Sequence, residues 1–195
     1  MKSTPRTRAP WSRLWVVAAF VLAACGSTPK ENYYTLSGPP VALPAASGTP
    51  LSVYIGPVSV PESVDRSPMV VRTGANAVDI DDLHRWVEPL KTAIPRALAE
   101  LLMRELGTPR VLAGRSSSGA PADFRVAVDV QRFESSLADG ATLDAAWTVT
   151  PAKGAARNGR TLARETLPSK DHAGIAAAHR RALEALARDL AAAMK

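Results

Sequence analysis

Apolar positions recur with a helical period in two stretches of the chain and with a period of two in several others. Between Arg85 and Leu106, Trp86, Leu90, Ile94, Ala97, Leu98, Leu101, Leu102 and Leu106 fall on one side of a helix, which Gly107 is suited to end. Asp81 or Asp82 is a candidate to begin it. Pro89 suits its first turn, whereas Pro95 predicts a kink or the true start. A second helix is predicted from Ile175 to Met194, with Ile175, Ala182, Leu183, Leu186, Leu190 and Met194 as its apolar stripe. Leu51, Val53 and Ile55 alternate, then shift phase at Gly56-Pro57 to Val58 and Val60, which predicts a strand with a break or bulge. Met69–Arg72 and Ala77–Ile80 flank a turn-like Thr73-Gly74-Ala75-Asn76 and predict a hairpin. Phe124, Val126, Val128 and Val130 alternate with polar residues, and Phe133, out of phase by one, predicts a bulge near Gln131 or Arg132. Asp139-Gly140 marks a turn, and Leu143, Ala145, Trp147 and Val149 form the return strand. A loop over 151–159 leads to a third antiparallel strand, Thr161–Leu167. Tyr33 to Leu36 reads as a short strand or docking segment, and Val111-Leu112 as a short strand. This order predicts an α+β fold: a single domain with a mainly antiparallel sheet and two long helices packed on one face.

The first 25 residues follow a different pattern. Lys2, Arg6, Arg8 and Arg13 form a positive region without acids, and Leu14 to Ala24 is an uncharged, mostly apolar run of 11 residues. That run is too short to cross about 30 Å of hydrocarbon and fits the core of a signal peptide. It ends in Leu22-Ala23-Ala24-Cys25, which resembles the lipobox of exported lipoproteins. Cys25 is the single cysteine of the chain, so an internal disulfide is impossible and lipidation gives the thiol a use. The expected organisation is a signal peptide over 1–24, a lipidated tether and proline-rich linker over 25–50, and a folded domain over 51–195. Gly26, in place of an aspartate after the cut, favours sorting to the outer membrane, on its periplasmic face.

Cleavage changes the charge. Four of the 24 basic residues precede Cys25, leaving 20 against 18 acidic ones, so a strongly basic nucleic-acid binder is not indicated. His84, His172 and His179 lack metal-ligand spacing such as HxxxH, and cysteine ligands are absent, so no metal or cofactor is expected. His172 reads as a solvated loop residue and His179 as a surface or boundary residue of the second helix. Asp79, Asp81 and Asp82 read as helix-capping and dipole-compensating acids. No GxSxG, GxxxxGK[ST] or GxGxxG occurs, and Ser116-Ser117-Ser118 is a plain polar loop, so nothing argues for an enzyme. Trp86 reads as core. Arg66, Arg72 and Arg85 flank predicted strands and the helix start. They form either a basic face for an acidic partner or lipid headgroups, with Trp86 beside it, or three scattered solvated arginines.

Several segments, in order, resemble one family, the PqiC/YmbA-like lipoproteins or ABC-type transport auxiliary components. They are Tyr33-Tyr34-Thr35-Leu36, Ile55 to Pro61, Asp65-Arg66 through Met69 to Arg72, Arg85-Trp86-Val87-Glu88-Pro89-Leu90, Asp123 to Val126, Phe133-Glu134, Asp139-Gly140 and Trp147. The resemblance implies that 51–195 is a PqiC-like auxiliary domain on a lipoprotein held at the outer membrane. Its partners would be an MCE-domain protein that bridges the periplasm and inner-membrane transporter components, in a system that moves lipid between membranes and supports envelope integrity. A ring-like homo-oligomer is also implied, and no catalytic residue is carried over. Two other readings are a lipoprotein that binds a small ligand or lipid within its own fold, and a periplasmic hydrolase. The missing nucleophile and base motifs disfavour the hydrolase.

Overall fold

The structure is a computed structural model that describes residues 29–39, 51–114 and 121–195. The signal sequence, Cys25, most of the proline-rich linker and the Ser116–Ser118 loop lie outside the described residues. Residues 31–195 form one compact unit. Its elements are β1 (Asn32–Tyr34), β2 (Val53–Ser59), β3 (Pro68–Arg72), β4 (Val78–Trp86), α1 (Leu90–Leu106), β5 (Val111–Ala113), β6 (Phe124–Ser136), β7 (Gly140–Pro151), β8 (Arg157–Glu165) and α2 (His172–Ala193).

The α+β class expected from the sequence is the class observed, with all eight described strands in one sheet. Its backbone is the β6–β7–β8 meander, antiparallel and paired from Phe124↔Pro151 to Ser136↔Gly140 and from Ala141↔Glu165 to Val149↔Arg157. The predicted bulge falls between Val130 and Arg132, where it returns Phe133 to the buried face with Val126, Val128 and Val130. Strand β7 takes the whole of one edge of β6, so the other edge is shared end to end. Strand β2 pairs there along Phe124–Asp129, and β3 at Ser135. The phase shift at Gly56-Pro57 appears as a register shift between Ile55 and Val58 within one strand. Four pairings are parallel (β1·β4, β2·β5, β2·β6, β3·β6), so the sheet is mixed, although its long ladders are antiparallel.

Both helices bury apolar stripes. In α2, Ile175, Ala178, Ala182, Leu183, Leu186 and Leu190 are fully buried against the meander and α1. Each large aliphatic side chain buried in this way contributes about 1.5–3 kcal/mol. Asp171 starts α2: its carboxylate accepts the Gly174 N–H at 2.7 Å, satisfying one of the unpaired donors of the first turn. Helix α1 ends at Gly107, whose left-handed φ of 64° closes the last turn with a bond to the Met103 carbonyl.

Three boundaries differ from the sequence expectation. Helix α1 begins at Leu90 rather than near Arg85, because Pro89 disfavours helical backbone at the residue before it. Pro95 neither starts nor ends α1; it lies inside the helix, and the later turns continue to Leu106. The chain before Pro89 extends β4 through Trp86, so Asp79, Asp81 and Asp82 lie in a strand and cap no helix. Strand β8 begins at Arg157, shortening the expected loop; its outer residues Arg157, Asn158 and Arg160 are exposed and carry no apolar signal.

Candidate functional site

The residues singled out in the sequence gather around β4. Five of its nine residues are polar or charged, and its pairing with β3 is interrupted. Pro68 faces Arg85 and the next residue, Met69, faces Asp81, so Asp82, Leu83 and His84 bulge out of the ladder. The same stretch of β4 pairs instead with β1, Asn32 opposite His84 and Tyr34 opposite Trp86. A bulge of this kind re-aims side chains that a regular strand would send to alternate faces.

Trp86 ends β4 and is 3% exposed. Its ring meets Phe133 and His179 edge-on, with centroids 6.1 and 6.2 Å away. Trp86 is therefore a core residue; as part of a partner surface it has almost nothing to present. Arg85 points the other way and pairs with Glu31 at 3.3 Å. Arg72 lies at the opposite end of the β3–β4 hairpin and pairs with Glu134 at 3.0 Å. Arg72 lies four residue steps along β3 from the Pro68↔Arg85 pair, about 13 Å at ~3.3 Å per residue. Arg66 is exposed in the turn before β3. The structure thus brings Arg66 and Arg85 to one end of the hairpin and leaves Arg72 at the other.

What it does bring together is a group that sequence spacing could not reveal. Asp81 Oδ2 lies 2.9 Å from His84 Nδ1 and 3.2 Å from His172 Nε2. The two imidazoles stack face to face, centroids 3.7 Å apart and planes within 6°. Tyr34 of β1 stacks beside His84 at 5.9 Å. Partial burial raises the Asp81 carboxyl, but hydrogen bonds from His84 and the Leu83 N–H, with the charge of both imidazoles, hold it below its ordinary value. Burial, then the neighbouring His84, lowers the His172 imidazole. His172 is thus no solvated loop residue: it opens α2, and its side chain is 14% exposed.

His179 also departs from expectation, since α2 buries a wider arc than its leucines mark. It is completely buried, stacked on Phe133 with centroids 3.7 Å apart. Ser135 Oγ hydrogen-bonds its Nε2 at 2.9 Å, and its Nδ1 has no partner. Burial pushes this imidazole down to about 3, so it is neutral at physiological pH.

On the other side of the fold, β2, β5 and α1 border a half-open cleft of about 1130 Å³. Tyr54, Pro57 and Leu112 give it apolar wall, and Lys91, Arg96 and Arg125 give it cations. The Arg125 guanidinium sits 5.2 Å from the Tyr54 ring centre, and Arg96 pairs with Glu88 at 3.2 Å. No helix among the described residues is long and apolar enough to cross a membrane.

These features define a small α+β module, one mixed curled sheet carrying two helices, with a polar bulged strand on one side and an open cleft on the other. The chain belongs to the family of ABC-type transport auxiliary lipoprotein components, which it matches over residues 34–191. Two solved structures share the fold. A DUF330-family protein from Xanthomonas campestris is 19% identical, with a TM-score of 0.60 over 82% of this chain and 92% of that one. A second, uncharacterized protein is 17% identical, with a TM-score of 0.57 over 83% of this chain and 99% of that one. No curated protein matches the sequence.

Proposed function

We propose that this chain is a non-catalytic, lipid-anchored accessory subunit of an intermembrane lipid transport system, held at the periplasmic face of the outer membrane through Cys25. Its partners on this reading are an MCE-domain protein that spans the periplasm and inner-membrane transporter components. The observation that carries it is the family match, which runs from β1 almost to the end of α2 and so takes in nearly the whole compact unit. Envelope integrity is the physiological output expected of such a system.

The surface supports docking over internal ligand binding. The cleft beside α1 is open to solvent, unlike the enclosed pockets that bury most of a small ligand. Along β4, Val78 is 56% exposed, Ile80 45%, and Val87, just after it, 63%, which leaves apolar area for a partner or a second copy to cover. The alternative, a lipoprotein that takes a small ligand or lipid in its own fold, rests on that same cleft.

Capture from detergent-solubilised envelopes tests the reading. MCE-domain and transporter proteins are expected to co-purify with the tagged lipoprotein. A monomer that captures neither would overturn it. The anchor is tested separately. Cys25→Ala is expected to leave the protein unlipidated and soluble in the periplasm; retention in the outer-membrane fraction would show that something other than the lipid holds it.

A further inference from the structure

We infer that Asp81, His84 and His172 form a binding site for one divalent cation of the zinc type, clamping the bulge of β4 to the first turn of α2. Among the described residues these are the one group of three metal-capable side chains whose ligand atoms all lie within 4.8 Å of one another.

The chemistry of the donors fits. Two imidazole nitrogens and one carboxylate oxygen are a common three-residue zinc set, with bonds of about 2.0–2.2 Å and a fourth position left to water. Donor atoms around a tetrahedral ion with such bonds sit about 3.3 Å apart. Two of the three separations here, 2.9 and 3.2 Å, are already close to that spacing. Without an ion, both ring nitrogens converge on a single oxygen while the two rings stack in parallel, 3.7 Å apart. Imidazole lone pairs lie in the ring plane, so one ring turns about its χ2 out of the stack to aim at the ion; one cation then replaces both N–H protons and satisfies all three atoms.

The surroundings are organised for the same purpose. Asp81 Oδ1 accepts the Leu83 N–H at 2.9 Å, which turns Oδ2 toward both rings, as a supporting hydrogen bond orients a ligating carboxylate. The β4 bulge places His84 where a regular ladder would not. The positive end of α2 would oppose a cation, but the Asp171 carboxylate caps that end and offsets it. All three side chains are partly buried, between 14% and 26% exposed, so the site is shielded yet reachable by an ion.

Equilibrium dialysis of the full chain in detergent against Zn²⁺ alone tests the inference. One zinc per chain is expected. The melting temperature should rise by about 5–10 °C when zinc is a hundredfold above its dissociation constant. Asp81→Asn, His84→Gln and His172→Gln are each expected to weaken binding at least about tenfold. Asp79→Asn, on the same strand and exposed, should leave it unchanged. No uptake at millimolar zinc, or full uptake by the triple variant, overturns the inference. Should the triple variant fail to fold, zinc-edge absorption of the unmodified chain decides: a shell with two nitrogens near 2.0 Å supports the site, and a sulfur or all-oxygen shell refutes it. These outcomes are independent of whether any transport partner is captured.

Discussion

Trp86→Ala is expected to lower the free energy of unfolding by about 3–5 kcal/mol, a large share of what holds a domain of this size together. The indole is 3% exposed and packs against the stacked pair of Phe133 of β6 and His179 of α2, meeting both edge-on. Its removal opens a cavity where β4, β6 and α2 meet. Trp86→Phe, which keeps an aromatic edge, should cost clearly less. Arg85→Ala, one residue earlier, removes a part-exposed pair with Glu31 and two long hydrogen bonds, to the Ser67 hydroxyl and the Asp82 carbonyl, and should cost less than about 1 kcal/mol. Urea unfolding followed by circular dichroism separates the two. A marginal loss for Trp86→Ala, comparable to Arg85→Ala, would show that the junction is not the packed core described. The same contrast bears on partner binding. If Arg85→Ala abolishes capture of a transport partner while stability is kept, the arginine acts at the surface. Loss of capture by Trp86→Ala reports only unfolding.

The Trp86–Arg85 pair also shows where sequence reasoning succeeds and where it stops. Period-two and helical-period patterns locate the β6–β7 hairpin, its bulge and both helices, because in each a single face is apolar and the other wet; Trp86 reads as core from the stripe of the first helix, but it is core from the end of β4. Strand β4 has no such contrast. Its first residues, Val78 to Ile80, fall in the predicted hairpin, but Asp81-Asp82-Leu83-His84-Arg85 is exposed or half-buried throughout, so it carries no burial contrast and reads as the approach to a helix. The parallel pairings of β2 and β3 with β6 depend on strands far apart in the chain, which local periodicity cannot report. The histidine–aspartate group was invisible for the same reason. His84 and His172 are brought together only by the tertiary contact of the first turn of α2 with β4. The one sequence signal that bore on them was the acid cluster Asp79, Asp81 and Asp82 beside His84, before Pro89, whose acids read as helix capping.

His179 was missed in the other direction, and it carries the second large prediction. Taken as a boundary residue, it would titrate near its ordinary 6.5; enclosed by Phe133, Trp86 and the Ser135 hydroxyl, it titrates at about 3. No carboxylate touches the ring to compensate a positive charge. The unfolded chain therefore takes up a proton below pH ~6.5 that the folded chain refuses until about 3. The stability associated with the neutral ring is fully present above pH ~6.5. It falls as the pH drops through that window, by roughly 1.4 kcal/mol per unit and roughly 4–5 kcal/mol in all. Other groups titrate in the same range, so the slope must be read against a variant. His179→Gln retains a donor and an acceptor for Ser135 and removes the titration. Its unfolding free energy, measured in urea from pH 7 to pH 4, should decline less steeply than the parent's by close to one proton's worth. Parallel curves would mean that the folded protein admits the proton, either by opening the α2–β6 contact or by wetting the unpartnered Nδ1. The difference in slope is thus a direct measure of how tightly α2 closes over the sheet, at the point where Trp86, Phe133 and His179 join it to β4.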